Sequence, residues 1–332
     1  MKKYATMNIQ YSRGCPFDCE FCDITLLYGH RQRTKNQNQV ICELERLYQW
    51  GWRGGVFVVD DNFIGNKKKL KEEILPAMIE WMEKMRYPFS FITQTSIDLS
   101  DDEGLMQMMF QAGFETVFVG IETPNKESLI ECNKFSNKNR DLMACVKKIQ
   151  KFGLQVQGGF IVGFDSDPLS IFKSQIKFIQ ESGIVIAMVS LLNALRGTKL
   201  YRRLGKENRL LKNDSGDNTD GSINFTPLMD ERVLIDGYRE ILSKIYSPSY
   251  YYERVRTFLE RYKPPKIRIL RFRLSYLGAF FKSVFYLGII GKERLHYWRL
   301  FFWSLFKCPR SLPMAMTFTI YGFHFRKIFK EY

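Results

Sequence analysis

Histidine is nearly missing from this chain. There are three in 332 residues, His30, His296 and His324, and none has another metal-binding side chain at ligand spacing, so a site built on imidazoles is not expected. Disulfides are not expected either. The seven cysteines are odd in number, three of them crowd into one short run, and Met1-Lys-Lys-Tyr-Ala-Thr6 has no apolar core of a secretory signal, which together predict a reducing, cytoplasmic setting. Long apolar runs are also lacking. In the tail, Lys282 and Lys292 bracket only nine residues, against about twenty for a membrane-spanning helix. Acidic residues are scarce there too: residues 251–332 hold 17 Lys or Arg and 4 Asp or Glu, a net of +13 out of the chain's +15.

What is present is Cys15-Pro-Phe-Asp-Cys19-Glu-Phe-Cys22. Thiolates are the protein ligands of iron–sulfur clusters, and three of them would hold three corners of a four-iron cube, leaving one iron open to chemistry. Structural zinc, the competing reading, takes four ligands, usually as two close pairs, and the sequence has no second pair. Inert thiols are the third reading. Cys42, Cys132, Cys145 and Cys308 match no ligand spacing and read as core or surface thiols.

Around this run the chain repeats one unit, an apolar stretch followed by a stop and an amphipathic helix. Apolar stretches fall at about 7–12, 55–60, 89–96, 115–121, 154–163 and 184–192. Between them Val40, Ile41, Leu44, Leu47 and Tyr48 recur at helical spacing with Gly51 behind them, Ser100-Asp-Asp-Glu103 reads as a capping box, and Asp167-Pro168 reads as an N-cap with proline at the first helical position. Six such units predict an α/β fold with parallel strands. The unusual residues follow the C-terminal ends of the strands, the face on which (β/α) barrels build their sites. The expected domains are a partial barrel over 1–205, a polar linker or lid over 206–227, and a basic, aromatic-rich helical domain over 228–332. In that domain the helical patterns lie at about 228–246, 249–262, 268–290 and 291–306.

The Cys15-x-x-x-Cys19-x-x-Cys22 spacing, with Phe21 before the last cysteine, resembles the signature of the radical S-adenosylmethionine (radical SAM) superfamily. The resemblance implies a partial (β/α)6 TIM-like barrel and a [4Fe-4S] cluster on Cys15, Cys19 and Cys22. It also implies S-adenosylmethionine on the open iron and an electron donor such as ferredoxin or flavodoxin. Asp60, Asp61 and Asn62 would receive the cofactor's amino group, for which their oxygens are suitable acceptors, although Asp and Asn at a strand end are also ordinary helix N-caps. Glu122, with Ser96 or Gln94, would meet the ribose hydroxyls, while Thr93 and Thr95 fit plain strand alternation. Ile161 and Gly163, in Gly159-Phe-Ile-Val-Gly-Phe-Asp165, would lie against adenine, with Ala194 and Phe21 completing the cofactor surround. Lys134 is the cation expected for the cofactor carboxylate, and Arg140 is the second choice. Arg196 stands where relatives usually carry proline. No side chain is singled out as a catalytic acid, base or nucleophile.

The linked segments Asp60-Asp-Asn-Phe-Ile-Gly-Asn66, Thr93-Gln-Thr-Ser96, Gly120-Ile-Glu-Thr-Pro124 and Gly159–Asp165 resemble one subgroup, the cobalamin-binding radical SAM proteins with a C-terminal helical domain, hopanoid methylases among them. That resemblance implies methylation of an unactivated C–H in a lipid or isoprenoid-like substrate. The subgroup places a cobalamin-binding domain ahead of the barrel, and this sequence contains no Asp-x-His-x-x-Gly, so cobalamin is expected only through another chain. The alternatives are a partial subunit or a radical SAM enzyme that does not methylate. The tail interleaves cations with rings, as in Tyr297-Trp-Arg-Leu-Phe-Phe-Trp303. Such helices fit a membrane surface at the inner face or a lipid substrate better than nucleic acid, and they also fit a plain helical cap.

Overall fold

The computed structural model describes residues 4–211, 221–262 and 274–329. Six parallel strands follow one another in chain order across one sheet: β1 (Thr6–Ile9), β2 (Gly55–Val58), β3 (Ser90–Thr95), β4 (Phe114–Glu122), β5 (Gln155–Val162) and β6 (Ala187–Leu191). Each overlaps one of the apolar stretches read from the sequence. Among the described residues β1 and β6 are not paired with each other, so the sheet is a partial TIM-like barrel.

Strand alternation sorts the two faces. In β3, Phe91, Thr93 and Thr95 are buried while Ile92 and Gln94 are half buried; in β5, Val156, Phe160 and Val162 are buried while Gln157, Gly159 and Ile161 are half buried. The buried face is the outer one. Phe160 sets its ring 6.0 Å from Phe178 of the helix that follows β5. The half-buried face is the concave one, and Gly159 sits there against the ring of Phe118.

The helices of this layer are α1 (Gln37–Gln49), α2 (Leu75–Lys84), α3 (Glu103–Gln111), α4 (Leu142–Lys151) and α5 (Ile171–Ser182). The start of α1 is closed by a capping box between Asn36 and Gln39, and Val40, Leu44 and Leu47 form its buried stripe. Two starts differ from expectation. Ile97–Asp101 coils into a 3-10 turn that buries Ser100, so the cap of α3 is Asp102, whose carboxylate accepts the Leu105 N–H. Asp167 caps no helix: its carboxylate takes the N–H groups of Gly163 and Phe164 at 2.9 and 3.1 Å and the Ser128 hydroxyl at 2.6 Å, and α5 begins only at Ile171. Three donors at the end of β5 outbid the orphan amides of a helix.

Helices then dominate: α6 (Lys199–Lys206), α7 (Glu231–Ile245), α8 (Pro248–Arg261), α9 (Leu274–Ser283) continuing into a π turn at Val284–Ile289, α10 (Arg294–Lys307) and α11 (Leu312–Ile328). The last was not read from the sequence. Its buried Ala315, Phe318 and Thr319 are matched by exposed Ile320, Tyr321 and Phe323, and a helix apolar on all sides gives no amphipathic stripe to recognise. The centre of the polar stretch 206–227, residues 212–220, lies outside the described residues, as does the start of the pattern read at 268–290. The described ends of the polar stretch are stitched together by a bridge between Leu210 and Phe225.

Helices α7 and α8 join directly to the barrel. The Tyr246 hydroxyl donates to the Ala187 carbonyl at 2.8 Å. The fully buried Arg254 donates to the carbonyls of Ile245 and Val185 at 2.7 and 3.2 Å, and its guanidinium lies 5.3 Å from the centre of the Tyr251 ring. Gly183 ends α5 at φ +72°, where an added Cβ would stand 3.2 Å from the backbone of Phe258 in α8. Gly183→Ala is therefore expected to destabilise the chain by about 1–3 kcal/mol through its left-handed backbone alone, and by more if α8 cannot yield. A urea midpoint unchanged from wild type would contradict this packing.

Candidate cluster and cofactor site

The loop leaving β1 carries the three thiols of Cys15, Cys19 and Cys22, all half buried. It is folded tightly: Gly14 has φ +101°, and a Cβ there would stand 2.9 Å from the Gly29 carbonyl. The Cys22 N–H donates to the Cys19 carbonyl at 3.2 Å, and the Glu20 N–H donates to the Cys132 carbonyl at 2.9 Å. Burial pushes the Cys15 and Cys19 thiols up and the Cys22 thiol to about 12, while the charge of Lys134 draws all three back. Among the described residues no three His, Cys, Asp or Glu side chains gather around a point that one metal ion would fill. The three thiols are near enough for Cys19 to feel Cys15 and for Cys22 to feel both, and three thiolates without a fourth ligand match a cubane with one open iron better than structural zinc, which takes four. The donor set fits the cubane.

After β2 the three expected acceptors divide. Asp60 is fully buried, and its carboxylate is spent on the Tyr11 N–H at 2.8 Å and on the Ser12 hydroxyl. It ties the end of β1 to the end of β2 and has no free face for a cofactor, which corrects its assignment. Asp61 accepts the Gly14 N–H at 3.2 Å and so steadies the cysteine loop. Asn62 accepts the Ser96 N–H at 3.2 Å and donates to the Ser96 hydroxyl at 3.2 Å, with the Cys15 thiol beside it. Gln94 lies half buried on the concave face of β3. Thr93 donates its hydroxyl to the Val58 carbonyl at 3.0 Å, the inter-strand role that plain alternation predicts.

At the end of β4 the register slips against β5 between Gly120 and Glu122, and Glu122 takes φ +62°. This bulge re-aims the carboxylate, and Lys134 meets it with an ion pair of 2.7 Å in which the two side chains are 15% and 9% exposed. Asn137 holds the turn by donating to the Gly120 and Ile121 carbonyls at 3.0 and 2.9 Å. Burial alone would push the Lys134 ammonium down; Glu122, with Cys19 nearby, outweighs burial and holds it above the usual lysine range. Arg140, the second-choice cation, is instead committed to a two-pronged pair with Asp101 at 2.5 and 2.7 Å.

Ile161 is half buried on the concave face, and its carbonyl accepts from Gln175 at 2.7 Å. Gly163 turns the chain at φ +107°. Phe21 brings its ring to 6.3 Å from that of Phe164. Ala194 is fully buried, with its N–H donating to the Asn224 amide oxygen at 2.8 Å and its carbonyl accepting from the Asn224 amide nitrogen at 2.9 Å. Arg196 is exposed.

Sequence reading missed the clamp on the cysteine loop. Arg203 of α6 pairs with Glu20 at 2.8 Å, Asp165 at 2.7 Å and Glu131 at 3.3 Å. Arg209 adds a second guanidinium on Asp165 at 2.6 Å. Burial would raise Asp165, and the two guanidiniums outweigh it and hold its carboxyl below the usual range. Lys199 pairs with Asp18, and the Leu200 N–H donates to the Glu20 carbonyl at 3.0 Å. No spacing rule links side chains this far apart in sequence. Cys132, set aside as a core thiol, is buried next to the loop and points its thiol at the Leu129 carbonyl.

A partial barrel with three thiols at its first strand end, an acceptor pair at its second and third, and a buried ion pair at its fourth is a barrel enzyme equipped for an iron–sulfur cluster and a charged cofactor. The chain belongs to the radical SAM superfamily, whose sequence profile matches residues 9–179, and a profile described as a domain of unknown function (DUF4070) matches residues 198–332. It is 39% identical over 97% of its length to an uncharacterized methyltransferase of Synechocystis sp. and 32% identical over 90% to the hopanoid C-2 methylase of Rhodopseudomonas palustris. It spans 60% and 56% of those two proteins. Its fold matches that of TsrM from Kitasatospora setae, a radical SAM methyltransferase solved with cobalamin and a [4Fe-4S] cluster. The TM-score is 0.61 at 16% identity, with 98% of this chain and 61% of that chain covered. The cobalamin-dependent radical enzyme OxsB shares the fold at TM-score 0.57 and 14% identity, with 98% of this chain and 54% of that chain covered.

Two outcomes follow from the geometry. Burial raises the Asp60 carboxyl to about 6, so the native chain binds this proton more tightly than the unfolded chain does. Its contribution is therefore fully present below about pH 4 and is lost as pH rises through about 6. That is worth about 3 kcal/mol, and Asp60→Asn should flatten this leg of urea midpoint against pH. Arg203→Met should leave the circular dichroism spectrum intact and release iron to a chelator roughly tenfold faster; an unchanged rate would remove the clamp's role.

Proposed function

We propose that this chain is the radical-generating barrel of a methyltransferase-type radical SAM enzyme. The observation that carries the proposal is the meeting of the Cys15, Cys19 and Cys22 loop with a buried Lys134–Glu122 pair at the mouth of the barrel. When bound, a reduced [4Fe-4S] cluster supplies the electron that splits S-adenosylmethionine into methionine and a 5′-deoxyadenosyl radical. Lys134 is placed to neutralise the cofactor's carboxylate, since Arg140 is occupied by Asp101. Glu122, freed from Lys134 by that exchange, is an acceptor for the ribose hydroxyls. Asn62, beside Cys15, binds the amino end, Ser96 joins Glu122 on the ribose, and Phe21 with Ile161 walls the adenine away from water.

The substrate we propose is a lipid or isoprenoid-like molecule attacked at an unactivated C–H, in line with the hopanoid C-2 methylase relative. Cobalamin, present in the solved structures of TsrM and OxsB, enters this proposal only through protein beyond these 332 residues. An electron donor of the ferredoxin or flavodoxin kind completes it.

The test is anaerobic reconstitution with iron and sulfide. We expect a reducible cubane by electron spin resonance, its loss in Cys15→Ala, Cys19→Ala and Cys22→Ala, and release of 5′-deoxyadenosine. A cubane that survives all three substitutions, or no deoxyadenosine from a reduced cluster, sinks the proposal. Lys134→Met should raise the KM for S-adenosylmethionine about 10- to 100-fold, the scale of a lost charge-assisted hydrogen bond, with cluster content unchanged.

A further inference from the structure

We propose that the hairpin formed by α9, its π turn and α10 is a docking surface for an anionic lipid membrane. The inference goes beyond the radical chemistry and does not use the cysteine loop. The two limbs lock onto each other through their inner faces: Leu287, Tyr297 and Leu300 are buried, and the Trp298 ring N–H donates to the Gly288 carbonyl at 2.9 Å. Their outer faces are left bare. On the first limb Phe281, Phe285 and Ile289 repeat every four residues and are 65%, 50% and 57% exposed. On the second, Leu295, Phe302 and Phe306 fall on one stripe and are 73%, 51% and 79% exposed. Apolar area of this extent marks an interaction site.

Charge decides the occupant. From Leu277 to Leu312 the chain carries Lys282, Lys292, Arg294, Arg299, Lys307 and Arg310, and its one carboxylate, Glu293, is buried in an ion pair with Arg326. Arg299 lies on the same stripe as Leu295 and Phe302. A second copy of the chain would set six cations against six. Nucleic acid would welcome the cations and could stack bases on the phenylalanines, but it would leave the aliphatic Ile289 and Leu295 on the same faces in water. A lipid surface satisfies both features, taking the side chains into the acyl boundary and the cations among anionic headgroups. Among the described residues no helix is long and apolar enough to cross a membrane, so the contact is in the plane of the interface.

The experiment is flotation of the full chain with phosphatidylcholine vesicles, with and without phosphatidylglycerol. Binding is expected to need the anionic lipid and to weaken with salt. The triple variant Lys282→Gln, Arg299→Gln, Lys307→Gln should lose about a hundredfold in affinity, at roughly 1 kcal/mol per cation near the surface. The exposed pair Phe285→Ser, Phe306→Ser should bind weakly while keeping the wild-type melting temperature. Cys15→Ala should bind as wild type does, so failure of the cluster reading and failure of this one are separable. Four results would overturn the proposal: no flotation with anionic vesicles, equal affinity for neutral ones, RNA retention in place of flotation, or a dimer in light scattering that the serine pair disperses.

Discussion

One guanidinium organises the mouth of this barrel. Arg203 reaches from the helix behind the last strand to Glu20 between two of the cysteines, to Asp165 behind β5 and to Glu131 behind β4. An arginine suits this post because its planar fork offers five donors in fixed directions, which a lysine cannot match. The loop it holds has no regular secondary structure from Gly14 to Asp23, so its shape is set by partners outside itself. Further fixed points include Asp61 on the Gly14 N–H, Lys199 on Asp18, the Cys132 carbonyl on the Glu20 N–H and the Leu200 N–H on the Glu20 carbonyl. Cluster ligands placed this way depend on the whole barrel being folded before they can face a common iron centre.

The strands and the cysteine run were legible because each is a local signal: apolar stretches recurring every 26 to 48 residues, and thiols at a set spacing. The ion pair between Lys134 and Glu122 was not read from the sequence, since it depends on the bulge after Gly120 that re-aims the carboxylate. What stayed hidden was relational. Nothing in Asp60 says that its oxygens will be consumed by Tyr11 and Ser12, or in Asn224 that it will grip both backbone groups of Ala194. Arg203 joins residues from four separate parts of the chain. The capping rules failed for two reasons: Asp167 had three donors that a helix end could not match, and Ser100 is buried in a 3-10 turn ahead of the helix.

The tail is more than an appended cap. Tyr246 and Arg254 bring buried hydrogen bonds to the entry of β6, and Tyr246 stacks on Phe325 and Phe329 of α11 and its end. The outer helices are thus tied to a barrel strand through a polar, close-packed joint. Arg254 finds carbonyls and rings where a cation would usually find a carboxylate, and burial lowers its affinity for its proton accordingly. Such a joint specifies one arrangement of the two regions, because any other leaves a guanidinium and two carbonyls without partners.

The unpaired sides of β1 and β6 remain. A closed barrel admits only what passes through its rim, and its interior fills with side chains. Among the described residues β1 and β6 do not pair, and Thr6, Asn8 and Met188 stand exposed at the two ends of the arc. An arc of this kind is not obliged to fill its interior with side chains as a closed barrel is, which leaves its concave face room for bound groups.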